Sequence, residues 1–364
     1  MSAFTVGVEE EFHVLDAATG ELRSGAPEVL AALSGGLSDQ VEPELLRTQL
    51  ETGSRVCSSL DDLRTGLLRL RRDLSAAAAK VGCRIAASGT WPAATAQVAP
   101  TRTDRYEELA ETFGPATHRP VCGCHIHVQV DDPDLRVAAI RRSRPWQPAL
   151  LALSANSPFW RGMDTGYASY RSQVWARWPT AGAAPALASW TEYDALVTAL
   201  LATGVLRDKA MLYWDARPSE RYDTVEFRVP DVCLRVDDAL LLAALARGLT
   251  RTSVAAEQAG RRCDDTPAEL LRAAHWRAAR YGLDGDLVDP LTGRPAPARD
   301  VVQGLVEHVR PALEEDGDAE FVDAALAGVL GRGSGVTRQR AAYRARGAVD
   351  DVTSMLADET ELGS

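Results

Sequence analysis

Three short stretches of the chain alternate strictly between polar and apolar residues, the period of a strand with one face in a core. In residues 5–15 the apolar side carries Val6, Val8, Phe12 and Val14, and the other side carries Glu9, Glu11 and His13. Glu10 interrupts the apolar side, and alternation gives no account of it. In residues 121–130, Cys122, Cys124, Ile126, Val128 and Val130 share one face while His125, His127 and Gln129 share the other, so two imidazoles point together. Residues 224–229 set Val225, Phe227 and Val229 against Thr224, Glu226 and Arg228. A fourth extended segment, residues 45–52, carries Arg47, Gln49 and Glu51 in step.

Helical spacing takes over between these strands. Leu63, Leu67, Leu70, Leu74 and Ala78 recur along residues 60–81, with Ser59 and Asp62 as a start signal and Gly82 as a stop. Residues 237–259 and 267–281 read as two more helices, and the chain after Asp300 as several, broken at the glycine-rich segment 331–335. The proline-rich stretch 290–297 reads as a surface loop. The expectation is one α+β catalytic domain over residues 1–364. Its antiparallel sheet has one charged face and one face covered by helices, and its C-terminal third is mostly helical.

Composition changes this picture little: 46% hydrophobic and 25% charged residues are ordinary for a soluble globular chain. A net charge of -11 argues against nonspecific nucleic-acid or anionic-membrane binding, so phosphate-bearing ligands must meet local cations. Only Lys80 and Lys209 among the 40 basic residues are lysines. No stretch reaches the ~20 apolar residues of a membrane helix, and residues 1–12 lack a basic-then-apolar leader, so the expected location is the cytoplasm. Six cysteines in such a chain are expected to be reduced and buried.

The chemistry lies on the polar strand faces. If the strands are neighbours, Glu9, Glu11, Glu51, His125, His127 and Glu226 crowd together, and carboxylates at such range repel unless a divalent cation neutralises them. An oxygen-rich set with imidazoles suits Mg2+ or Mn2+. For any one of these residues a solvated strand face is sufficient; three matching faces together favour a site. A Cys2His2 zinc site conflicts with the alternation, which separates Cys122 and Cys124 from His125 and His127. A zinc hydrolase built on the histidines and a carboxylate remains the alternative. Neither lysine stands in a P-loop context, and no Gly-x-Ser-x-Gly elbow occurs. The glycines at 331, 333 and 335, followed by Arg338, Arg340 and Arg344, either close over phosphates or simply connect helices.

Six motifs occur in order: Val6-Gly-Val-Glu-Glu-Glu-Phe12, Gln49-Leu-Glu-Thr-Gly53, Cys122-Gly-Cys-His-Ile-His-Val128, Asn156-Ser-Pro-Phe-Trp160, Tyr170-Arg-Ser-Gln-Val-Trp-Ala-Arg-Trp-Pro179 and Thr224-Val-Glu-Phe-Arg-Val-Pro230. Over residues 4–346 the chain resembles the carboxylate–amine ligase family known as glutamate–cysteine ligase type 2. The resemblance implies an antiparallel half-barrel sheet like the catalytic domain of glutamine synthetase, with ATP and Mg2+ or Mn2+ as cofactors. It implies Glu9, Glu11, Glu51, His125 and Glu226 as metal ligands, and Arg171 and Arg228 as catalytic and phosphate or carboxylate contacts. Arg338 and Arg340 are further candidate nucleotide contacts, and His127, Trp214 and Arg217 are candidate substrate contacts. The implied reaction joins the γ-carboxylate of glutamate, through an acyl phosphate, to the amine of cysteine or another amino acid; the alternative is metal-dependent hydrolysis of a γ-glutamyl-type amide. The partners implied are small molecules and a second copy in a homodimer.

Overall fold

The computed structural model of the chain describes residues 4–33, 37–95, 98–263 and 265–362. In chain order its strands are β1 (Val6–Asp16), β2 (Val41–Pro43), β3 (Gln49–Gly53), β4 (Cys83–Ala86), β5 (Cys124–Gln129), β6 (Phe159–Trp160), β7 (Met163–Asp164), β8 (Ala216–Pro218), β9 (Thr224–Phe227), β10 (Asp286–Val288) and β11 (Pro295–Pro297). Seven of them form one antiparallel sheet in the order β2-β3-β1-β5-β9-β8, with β4 also on β1. One edge of β1 serves two partners in succession: β5 pairs with residues 6–10 and β4 with residues 13–16. The other edge takes β3 along residues 9–13.

The alternating side chains explain which way the sheet faces. Val6, Val8, Phe12 and Val14 are at most 1% exposed and lie in the apolar layer, as do Ile126, Val128, Val225 and Phe227. Glu10, the residue alternation left unexplained, is fully buried there. Arg71, from the helix Leu60–Lys80, donates to both its oxygens, Nε at 3.0 Å and an Nη at 2.5 Å. The remaining donors of that guanidinium reach the carbonyls of Leu234 (2.8 Å) and Cys233 (2.7 Å). A buried charge is tolerable when its partner and its remaining hydrogen bonds are supplied together, as they are here.

The helix Leu60–Lys80 starts at Ser59, whose Oγ accepts from the Asp62 amide (3.1 Å) and donates to its carboxylate (2.8 Å). Val236–Gln258 is long and apolar enough to cross a membrane, contrary to the sequence expectation, and 78% of its apolar window is buried inside the protein. It is apolar nearly all round because it is the central core helix, enclosed by other elements. A single apolar cluster runs from Val6 to Val329 and joins it to β1, β5 and β9. The C-terminal third is helical as expected: Ala298–Asp316, Ala319–Arg332, Gly335–Arg346 and Val349–Leu362.

Two local expectations are corrected. The proline-rich stretch is not an irregular loop, because β10 and β11 form a small antiparallel hairpin through it. The segment around 331–335 is no loop long enough to close over a ligand. Gly333 and Ser334 alone separate two helices, and Gly335 packs so tightly on Asn156 that a Cβ there would come within 2.1 Å of its Oδ1. All six cysteines are free thiols, five of them buried. Of the expected domain span, residues 1–3, 34–36, 96–97, 264 and 363–364 lie outside the described residues.

Candidate active site

Strand register builds the site. Glu11 stands opposite Glu51, and Glu51 opposite Glu42, across β1, β3 and β2. On the other edge of β1, Glu9 stands opposite His125 of β5. Further along, His127 is opposite Glu226 of β9, and Glu226 opposite Arg217 of β8. Period-two alternation turns all of these side chains to the same side of the sheet.

His125 is the hub of one group. Its Nδ1 lies 3.3 Å from Glu9 and 3.6 Å from Glu51, and its Nε2 lies 3.6 Å from Glu11. His127 Nε2 lies 3.3 Å from the other oxygen of Glu9, while its Nδ1 is 2.9 Å from the Thr224 hydroxyl. Two sets, Glu9–Glu51–His125 and Glu9–His127–Glu226, bring ligand atoms within 4.8 Å of one another. The cysteines of the Cys-x-Cys-His-x-His string join neither set: Cys122 meets Gln49 (3.2 Å) and His13 (3.6 Å), and Cys124 lies in the core.

The electrostatics of these groups is uneven. Burial and then the charges of Glu9, Glu44 and Glu11 push the Glu51 carboxyl well above the usual carboxylate range. Burial, followed by the Glu11 charge, raises Glu44 to about 7. Burial also opposes the charge on Glu9, but the imidazoles of His125 and His127 beside it outweigh it and hold that carboxyl well below its ordinary value. Frustration of this kind is what a bound cation relieves. The residues fit such a cation: they supply crowded oxygens, and the buried His127 Nε2 finds no hydrogen-bond partner.

Arginines border the carboxylates. Arg217 holds Glu226 by a fork, Nε at 2.8 Å and an Nη at 3.1 Å, and Arg228 donates to the same carboxylate. Burial of Glu226 is overcome by Arg228 and then Arg217, so its carboxyl stays ionised far below the usual range. Arg171 is 3% exposed and donates to the carbonyls of Val229 and Arg228 (both 3.3 Å). It needs Gly123 beneath it, because a Cβ there would sit 2.3 Å from its Nη2. The anchor behind Arg171 is Asp231, fully buried, 3.8 Å from the guanidinium and held by the hydroxyls of Ser157 (2.7 Å) and Ser169 (2.9 Å).

Glu9, Glu11, Glu51, His125, His127, Glu226, Arg171, Arg217 and Arg228 thus line one cleft of about 330 Å³. Three expected contacts are not brought to it. Trp214 is buried in the core beside Tyr193. Arg338 is paired with Glu359, and Arg340 with Asp164 at 2.8 Å, both occupied by acids of their own surroundings. Glu44, Arg105, Tyr106, Arg119 and Tyr213 also line the cleft and escaped the sequence reading. Glu44, Arg119 and Tyr213 lie between elements, where no alternation marks a face, and Arg105 and Tyr106 lie in the first turn of the helix Asp104–Phe113, whose place beside the sheet the sequence does not announce.

An antiparallel half-barrel sheet backed by helices, with carboxylates and imidazoles clustered on its polar face, defines the catalytic fold of the carboxylate–amine ligases. The model of glutamate–cysteine ligase family 2 matches residues 5–355, and the chain belongs to that family. A Frankia alni protein assigned by name as glutamate–cysteine ligase 2-2 is 46% identical over 98% of this chain and 97% of its own length. A Frankia casuarinae protein of the same name is also 46% identical over 98% of this chain, which spans only 41% of that protein's length. Among solved structures, a bifunctional glutathione synthetase from Pasteurella multocida shares the fold with a TM-score of 0.72 at 15% identity, over 99% of this chain and 52% of that one. A glutamate–cysteine ligase from Francisella tularensis, solved with AMP, superposes with a TM-score of 0.70 at 12% identity, over 99% and 89%. These relatives carry the names of ligases.

Proposed function

We propose that the protein is an ATP-dependent ligase that joins the γ-carboxylate of glutamate to the amine of an amino acid, cysteine by default. The observation that carries this reading is the position of the carboxylate–imidazole cluster between two cavities. Glu9, Glu51 and His127 line both the 330 Å³ cleft and a second cavity of about 830 Å³ that opens at the other end of β1. Two substrates that approach from opposite sides meet there.

In the first step an oxygen of the γ-carboxylate attacks the terminal phosphorus of ATP, and ADP leaves. In the second, the amine nitrogen attacks the acyl carbon, phosphate departs with the electron pair, and the amine gives up its proton. Arg228 and Arg171 orient and neutralise the oxyanions, a task suited to a planar fork of donors. Glu9, Glu51, His125, His127 and Glu226 would hold Mg2+ or Mn2+, which supplies charge neutralisation to the transferring phosphoryl group. Arg217 keeps Glu226 ionised and aimed. Burial of the cleft walls limits hydrolysis of the acyl phosphate. A cytoplasmic homodimer completes the proposal. The test is to incubate the purified protein with ATP, Mg2+, glutamate and a panel of amino acids. ADP and a new amide mass are expected only when donor and acceptor are both present; equal amide formation without ATP sinks the reading.

A further inference from the structure

A free amino acid reaches the cleft as an ammonium ion, whose nitrogen has no lone pair to offer an acyl carbon until a proton is taken from it. Most cleft-lining groups that could take it are engaged. Glu9, Glu51, His125, His127 and Glu226 stand in the two ligand sets. Glu11 accepts from the Gly123 amide at 2.6 Å and lies 3.6 Å from His125. Glu42 and Glu220 are exposed, and Glu42 lies 3.7 Å from Arg221. Tyr106 and Tyr213 are phenols that burial holds in the protonated form.

Glu44 remains. It is half-buried just past β2 and lines the 330 Å³ cleft but not the larger cavity. Among the described residues it belongs to neither ligand set and forms no ion pair. Both hydrogen bonds to its carboxylate use one oxygen: Oε2 accepts from the Leu45 amide at 2.6 Å and from the Tyr106 hydroxyl at 3.3 Å. No hydrogen bond among the described residues engages Oε1. The backbone on either side is pinned as well. The Thr101 hydroxyl donates to the Glu44 carbonyl at 2.5 Å, and the Thr101 amide to the Leu45 carbonyl at 2.9 Å. A carboxylate with one oxygen tied down and the other free beside a substrate cleft is placed to exchange a proton with what enters. Arg171 and Arg228, the contacts for the oxyanions of the acyl phosphate, line the same cleft.

We infer that Glu44, aimed by Tyr106 and the Leu45 amide, is the general base that deprotonates the amine acceptor. Glu44 Oε1 takes one proton of the ammonium, and the lone pair so exposed forms the bond to the acyl carbon. The bond from that carbon to the phosphate oxygen breaks, and phosphate leaves with the electron pair and the second nitrogen proton. Glu44 then releases its own proton to solvent. The inference rests on the ligase reading, and its test separates the two.

Hydroxylamine is uncharged at neutral pH and attacks an acyl phosphate without a base, whereas an amino acid must first lose a proton. The full-length protein, Glu44→Gln and Tyr106→Phe would each receive ATP, Mg2+, glutamate and either hydroxylamine or the amino acid that the parent uses best. In Glu44→Gln the rate of amide formation, relative to that of hydroxamate formation, should fall by about 100-fold or more. Tyr106→Phe keeps the base and loses one hydrogen bond that aims it, so the same ratio should fall by about tenfold or less. Folding is not at risk in Glu44→Gln, because the side-chain amide oxygen accepts the same two hydrogen bonds and one of several crowded negative charges is removed. An unchanged ratio in Glu44→Gln, whether both rates hold or both fall together, overturns the inference while the ligase reading stands. A parent that forms neither product from glutamate and ATP fails the ligase reading itself, and the inference with it.

Discussion

Arg217 and Glu226 face each other across β8 and β9 and share two hydrogen bonds, of 2.8 and 3.1 Å, while Glu226 also reaches the His127–Glu9 group. One carboxylate thus serves two guanidinia, those of Arg217 and Arg228, and a cluster able to hold a cation.

That double duty sets the outcome of Glu226→Gln. Turnover should fall by on the order of 100-fold or more, because the amide keeps the shape and loses the charge. Stability should also fall, by about 3 kcal/mol, since Arg217 and Arg228 are left as buried cations without their counterion. Urea denaturation beside steady-state kinetics checks both, and adding Arg217→Gln should restore part of the stability and none of the activity. Unchanged turnover in a folded Glu226→Gln protein would show that this face is only surface.

Removal of metal gives a second expectation. EDTA should abolish turnover, and Mg2+ or Mn2+ should restore it, because the donor set is rich in carboxylate oxygen. Restoration by zinc alone at low concentration would contradict the proposed ligand chemistry.

Gly123→Ala separates activity from stability. The new methyl would meet the buried guanidinium of Arg171 and stand 3.2 Å from Nε2 of His125, an overpacking that costs about 1–3 kcal/mol. The displaced guanidinium no longer addresses the cleft, so kcat/KM should fall by about 10- to 100-fold while the thermal midpoint moves by only a few degrees. A loss of stability as large as the loss of activity would argue against the positioning role of this glycine.

The buried pair behind the sheet has a different signature. Arg71→Met leaves Glu10 as an unpaired carboxylate at full burial and should cost about 3–5 kcal/mol. Glu10→Leu combined with Arg71→Met should recover much of that loss, as measured by denaturant midpoints. If the single variant is neutral, the pair does not hold the helix to β1.

Burial holds the His13 imidazole down to about 4, although its Nε2 lies 3.0 Å from the Ser88 carbonyl. Below about 6.5 the unfolded chain binds a proton that the folded chain refuses, so stability should decline as pH falls from 6.5 to about 4 and owe nothing further to His13 below that. The contribution is about 3 kcal/mol across the window. Comparison of the pH dependence of unfolding with that of His13→Asn isolates it; identical slopes in the two proteins would remove His13 from the account.

Alternation along β1, β5 and β9 was enough to place Glu9, Glu11, His125, His127 and Glu226 on one side of a sheet, because a strand's side chains change face at every residue whatever lies beside it. The same rule kept Cys122 and Cys124 out of the ligand sets. What alternation lacks is any knowledge of neighbours. Glu10 interrupts the apolar face, and its partner, Arg71, lies 61 residues away in the chain. Arg338 and Arg340 resembled phosphate contacts by charge and by the glycines before them, yet Glu359 and Asp164 claim them, and nothing local announces those partners. Glu44 and Arg119 entered the cleft from irregular segments, where the chain carries no period to read. Local sequence determined the faces of the strands and the kinds of group they present; the pairing of segments far apart along the chain, a matter of tertiary packing, decided which of those groups meet.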